Sequence, residues 1–348
     1  MAKLQKKYMV FVGLLLGLAL ALSGVTPALA AKEVVLRGET LGAGSVPAIL
    51  LLRLSGLVKK NNGYRIQIAT GQAITKVAIK AAMGKVDLMT SAPSVSYYMK
   101  NQIFMYKKIK DSKELVKNIR SIVNYPFGVY HLVVWDDSGI KNIAELKGKR
   151  LFVGPPGSSA GRTTTAMLKA TADLEPGIGY SPVKLGWNGG FQAFQDRQAA
   201  FYAVPTPIPS AKIQQLAAID NIRFLGISEK TVQNPLIQKI LEVPGRAVSY
   251  IPVGAYGKKQ ANTEPVMTIA SWGVLDTNKF VSAEIIYNIT KTFWENIDQI
   301  YEASPGLKAI TKETGIKYLA TPLHIGAYRY YKEAGFNIPE NAIPPEVK

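Results

Sequence analysis

The residues of this chain best placed to do chemistry lie in one stretch, Lys147 to Thr165, KGKRLFVGPPGSSAGRTTT. Leu151, Phe152 and Val153 read as a short apolar strand, followed by a Gly/Pro/Ser turn and a helix that opens on hydroxyl residues and Arg162. A helix N-terminus presents unpaired backbone N–H groups and the positive end of a dipole, so Ser158, Ser159 and the helix start can hold an anion. Arg162 beside them suits bidentate capture of a carboxylate. The same letters, Gly157-Ser158-Ser159-Ala160-Gly161, also match the G-x-S-x-G spacing in which a sharp strand-to-helix turn exposes a nucleophilic serine.

A secreted serine hydrolase using Ser159 is therefore the competing reading, with Asp298 and His324 available in the order Ser, Asp, His. Its elbow needs the serine directly after the strand, whereas Pro155, Pro156, Gly157 and Ser158 intervene. The sequence holds two histidines. His131 lies inside an apolar strand, and His324, between Pro322 and Gly326, suits a helix cap or the surface. Ser138-Gly139-Ile140-Lys141 matches S-x-x-K without the companion motifs that give it meaning. Gly177-Ile178-Gly179-Tyr180-Ser181-Pro182 is a dinucleotide fingerprint broken by its proline. With no cysteine and two separated histidines, no zinc or calcium pattern exists. No catalytic constellation, metal or cofactor is expected, so the chain reads as a binding protein and not an enzyme.

The elements that position these groups fall into two α/β lobes. Lys3, Lys6 and Lys7, the apolar run Met9 to Leu22 and Ala28-Leu29-Ala30 form a secretory signal peptide (1–30), cut after Ala30. The absence of cysteine removes both a disulfide framework and a site for a lipid anchor, which points to a periplasm. The formal charge of +18 favours anionic partners, but no dense basic tract with interleaved aromatics argues for nucleic acid. Strand, small-polar-turn and helix units recur over Glu33–Met83, with a third strand at Val86–Met89, indicating a parallel sheet whose ligands sit beyond the strand ends. Two apolar strands around Asn124-Tyr125-Pro126 suit a crossing between lobes. The pattern then restarts with strands at 151–153, 183–187, 200–204 and 222–225. Trp187 and Asn188 follow one of these strands and Tyr202 lies in another, offering an apolar wall and an amide. The C-terminal aromatics Tyr287, Phe293, Trp294 and Tyr331 have helical spacing and are assigned to packing.

Three segments in order carry a resemblance: HLVVWDDSGIKNIAELKGKRLFVGPPG, ITKTFWENID and TPLHIGAYRYYKEAG. They resemble the TAXI-type solute receptors of tripartite ATP-independent periplasmic (TRAP) transporters. The resemblance implies a type II periplasmic-binding-protein fold, with lobe 1 from 31–127 and 272–348 and lobe 2 from 128–271. It implies a monomer that captures a small organic anion by hinge closure and hands it to an ion-gradient-driven integral membrane permease. A binding module feeding a membrane sensor fits the same sequence. It further implies contacts from the loop Thr40–Pro47 (Thr40, Gly44, Ser45), from Thr70–Ala73 (Thr70, Gln72), from Thr90–Ser94 (Ser91, Ser94) and from Gly154–Thr163, including Gly157, Gly161 and Thr163.

Overall fold

Residues 33–347 are described by a computed structural model; the expected signal peptide and its cleavage point lie outside them. The chain divides by its contacts after Val34, and the unit from Val35 onward is the subject below. Its strands are β1 (Val35–Glu39), β2 (Arg65–Ala69), β3 (Leu88–Ser91), β4 (Ile119–Trp135), β5 (Arg150–Phe152), β6 (Ser181–Pro182), β7 (Phe201–Thr206), β8 (Ile222–Phe224), β9 (Arg246–Ile251) and β10 (Val266–Asn278). They form one mixed sheet in the order β2-β1-β3-β10-β4-β7-β5-β6, with β8 on β4 and β9 on β10.

Two long antiparallel strands organise this sheet. The last half of β10 lies between β3 and the first half of β4, and β3 runs parallel to β1, which is paired with β2. The last half of β4 pairs with β7 and β8, while the first half of β10 pairs with β9. Both strands thus pass from one α/β group to the other, giving the two-lobed α/β fold. Where two strands were expected around Asn124-Tyr125-Pro126, β4 runs unbroken. Pro126 has no N–H for the ladder, and a register shift between Ser271 and Trp272 accommodates it. Gly128 lies just beyond, and a Cβ there would come within 2.5–2.7 Å of the Thr206 backbone.

Side-chain alternation builds a core on each face of the second lobe. Tyr130, Leu132 and Val134 of β4 join Leu151, Phe201 and Ala203 on one face, under Met167 and Leu168 of the helix Ser159–Ala172. Val133 and Trp135 join Phe152, Tyr202 and Phe194 on the other. The first lobe is closed by the helices Val46–Asn62, Ile74–Ala82, Pro93–Asn101 and Ala283–Glu295. Phe293 and Tyr331 are fully buried, and the Tyr331 hydroxyl donates to the Ile122 carbonyl, so these aromatics serve packing. The strand expected over 183–187 is instead a two-residue β6 followed by a helix that starts at Trp187, because Gly186 adopts extended N-cap geometry.

Candidate functional site

The helix Ser159–Ala172 spends its first serine on itself. Ser158 is the N-cap, and its Oγ accepts from the Gly161 N–H at 3.0 Å. Thr163 likewise turns inward, donating to the Ser159 carbonyl at 3.1 Å. Ser159 is the residue left to face the other lobe. Its Oγ accepts from Arg246 Nη2 at 3.0 Å and lies 3.3 Å from the Tyr98 hydroxyl, on the first-lobe helix Pro93–Asn101.

No motif in the sequence marks Arg246, yet it is the centre of this cluster. The run Val243-Pro244-Gly245-Arg246 is a tight turn closed by the Arg246 N–H on the Val243 carbonyl at 3.1 Å. Proline in its second position and Gly245 at φ +84° in its third are the residues a type II turn requires. The turn brings Gly245 against Pro93, whose Cγ would be 3.2 Å from a Cβ there. Arg246 is thereby delivered beside the start of the helix Pro93–Asn101, where Ala92 supplies no side-chain cap. Ser91 and Ser94 are buried at this helix start, and the Ser91 and Ser96 hydroxyls have no hydrogen-bond partner.

Charge sets this cluster apart. Arg246 is only 8% exposed, and its second donor, Nη1, goes to the Tyr130 hydroxyl at 3.1 Å. Among the described residues its side-chain hydrogen bonds go to hydroxyls alone, with its guanidinium 5.5 Å from the centre of the Tyr130 ring. Arg120, the other deeply buried arginine, is ion-paired with Glu346 at 2.5 Å. Arg162 likewise has no carboxylate partner among the described residues. One of its nitrogens donates to the Gly157 carbonyl at 2.9 Å, and its guanidinium lies 4.1 Å over the Phe104 ring and 5.6 Å over Tyr98. Its Nε and Nη2 are buried without partners. Two permanent cations thus face Tyr98, Phe104 and Ser159 where the lobes meet.

The remaining expected site residues take other places. Thr40 is fully buried and shares a 2.6 Å hydrogen bond with Thr90 between β1 and β3. Ser45 caps the helix Val46–Asn62, accepting from Ala48 N–H and donating to the Gly42 carbonyl, while Gly44 is an exposed turn residue. The exposed Thr70 accepts from the Gln72 side chain at its carbonyl, and the Gln72 N–H donates to the Thr40 carbonyl. Gly157 is exposed in its turn, and Gly161 serves the helix cap. Trp187 is half-buried with its edge on Phe152, and the exposed Asn188 accepts from Lys212. Tyr202 is fully buried, stacked on Phe152 and Phe194, because its position on β7 faces the core, and its hydroxyl has no hydrogen-bond partner. Burial also pushes its phenol above the ordinary range.

Neither histidine reaches Ser159. His131 donates from Nδ1 to the Val129 carbonyl at 2.8 Å and accepts at Nε2 from the Tyr256 hydroxyl at 2.7 Å. Burial lowers its pKa to about 4. His324 caps the helix Ile325–Glu333, accepting from Gly326 N–H and donating to the Val281 carbonyl, and burial likewise holds it near 4. Among the described residues the side chains hydrogen-bonded to Ser159 Oγ are those of Arg246 and Tyr98, and neither histidine is one of them. Among the described residues no group of three or more His, Cys, Asp or Glu is placed to hold a metal.

Fold and site together define a two-lobed α/β protein with a cationic cluster where its lobes meet. The chain belongs to the NMT1-like family, whose model matches residues 79–335. Among solved structures it is similar to the periplasmic aliphatic sulphonate binding protein of Escherichia coli, at 13% identity over 88% of this chain and 89% of that one, with a TM-score of 0.44. It is similar to a TRAP periplasmic solute binding protein of Desulfovibrio salexigens with bound orotic acid (14% identity, 86% and 89% covered, TM-score 0.44). A further one, from Shewanella oneidensis with bound succinate, shares 14% identity over 78% and 80% of the chains at a TM-score of 0.42.

Proposed function

We propose that this protein is an exported solute-binding protein that captures a small organic anion, a carboxylate, between its lobes and catalyses no reaction. The observation that carries the reading is Arg246, a buried guanidinium with no carboxylate partner among the described residues, hydrogen-bonded to two hydroxyls. Removing such a charge from water costs several kcal/mol unless an opposite charge replaces the lost solvation. A ligand carboxylate supplies that charge, and Arg162 offers two further unpaired donors. On the first lobe, the uncapped start of the helix Pro93–Asn101 and the free Ser91 hydroxyl would receive the same anion. A ligand bridging both sides binds the closed state better than the open one and so favours closure.

In this reading residues 31–127 and 272–348 form one lobe and 128–271 the other, turning about Gly128 and the bulge at Ser271/Trp272. Among the described residues no helix is long and apolar enough to cross a membrane. Delivery is to an ion-gradient-driven TRAP permease of the TAXI type, as the sequence resemblance implies, from a periplasmic monomer. The test is a thermal-shift screen of the mature chain against C3–C6 mono- and dicarboxylates, where a ligand at about 100 times its Kd adds about 2.7 kcal/mol. Stabilisation lost in Arg246→Met supports the reading. No stabilisation by any of them, with esterase activity abolished by Ser159→Ala, overturns it in favour of the hydrolase.

A further inference from the structure

The turn that carries Arg246 has a second face. It connects the helix Pro235–Leu241, whose Ile237, Ile240 and Leu241 belong to the second-lobe core, to β9. Val243 nevertheless leaves that lobe and is half-buried against the first-lobe core that contains Val95, Tyr98, Met99 and Tyr106. Two residues on, the Gly245 carbonyl accepts from the Trp272 N–H at 2.8 Å, at the register shift in β10. Four consecutive residues therefore touch the first-lobe core, the crossing strand and the cationic cluster.

We propose that Val243 is a positioning residue: it seats the Arg246 turn on the first lobe and sets the population of closed protein. This rests on the anion-binding reading above and assigns the regulation of that site. Pro244 fixes its own φ and the Arg246 N–H closes the turn, so Val243 and Arg246 move as one rigid piece. Separating the lobes returns the Val243 side chain to water, which the hydrophobic effect opposes. Seating Val243 and presenting Arg246 beside Ser91 and the helix Pro93–Asn101 are consequently the same displacement. The site is organised for its ligand only while Val243 is buried.

The chain contains no cysteine, so spin labels at Gln67→Cys on the first lobe and Lys184→Cys on the second, both exposed positions, report the distance between lobes without other changes. Measured by pulsed electron paramagnetic resonance with no ligand added, the parent chain gives a population at the distance of this structure. Val243→Asp reduces that population several-fold in favour of longer distances, and Val243→Ile preserves it. If Val243→Asp loses its cooperative melt, Val243→Thr, of the same shape with a hydroxyl, takes its place with the same expected direction. A variant distribution equal to that of the parent overturns the proposal, as does a parent chain without the short-distance population. Failure of the anion reading shows separately, as absence of stabilisation in the carboxylate screen.

Discussion

Arg246→Met separates a ligand-binding arginine from a structural one. The substitution keeps an unbranched apolar stem, removes the buried charge and deletes the hydrogen bonds to Tyr130 and Ser159. Each bond from a charged donor contributes about 1.5–3 kcal/mol, but the desolvation of an unpaired guanidinium costs several kcal/mol in the other direction. The Ser159 hydroxyl still has the Tyr98 hydroxyl beside it. The two effects nearly cancel, and the ligand-free variant should lie within about 1 kcal/mol of the parent, or above it. Ligand binding has no such compensation: truncating one partner of a buried charge pair costs about 2–5 kcal/mol, roughly 30- to 4000-fold in Kd. Arg120→Met provides the opposite pattern. It strips the partner from Glu346 and leaves the Lys117 and Ile119 carbonyls without their donor, so it should cost about 2–3 kcal/mol of stability and leave affinity unchanged. Urea unfolding followed by circular dichroism and isothermal titration on the same preparations measure both quantities. Loss of more than about 3 kcal/mol of stability in Arg246→Met with unaltered affinity would make Arg246 a structural strut and exclude it from ligand binding.

Stability should peak near pH 6.5. His131 and His324, held near 4, take up protons in the unfolded chain first, so stability is lost as pH falls from about 6.5 to 4. Asp276, fully buried and raised by that burial to about 8, keeps a proton the unfolded chain has already released, so its contribution is lost as pH rises from about 4 to 8. Below 6.5 the two histidines outweigh the aspartate, and above it the aspartate acts alone. Urea midpoints from pH 4 to 8.5 measure this, and a maximum at pH 8 or above contradicts it. Asp276→Asn should remove the decline above pH 6.5 while keeping the Ser121 hydroxyl bonded. Gly128→Ala forces a Cβ into the Thr206 backbone and should lower the melting point by the equivalent of about 3 kcal/mol or more; a melt equal to the parent's would show that the strands have room to part. Ser159→Ala should leave the fold intact and weaken anion binding about tenfold in titration, through loss of one bond that orients Arg246.

Much of the fold is written in local sequence. The apolar runs of β1 to β3, β5 and β7 and the intervening turns are legible because each strand and helix buries its own face. The unbroken β4 is not, since Pro126 signals a break locally and only the bulge at Phe127, opposite the distant Ser271 and Trp272 of β10, removes the conflict. At the site, Arg162 and Ser159 were legible from the helix start they share. Arg246 was missed although Val-Pro-Gly-Arg is a recognisable turn, because nothing local says which lobe the turn faces or that no carboxylate awaits it. Tyr202 shows a related limit: on a strand covered on both sides, both faces are apolar and the sequence does not say which end is open.

In the proposed function an anion sits on Arg246 between the lobes. A crystal structure of the mature chain with the carboxylate that most raises its melting point tests this directly. Ligand oxygens are expected within hydrogen-bond distance of the Arg246 guanidinium, with Ser91 or the start of the helix Pro93–Asn101 on the ligand's other side. A ligand bound elsewhere, with Arg246 still engaged only by Tyr130 and Ser159, would contradict it.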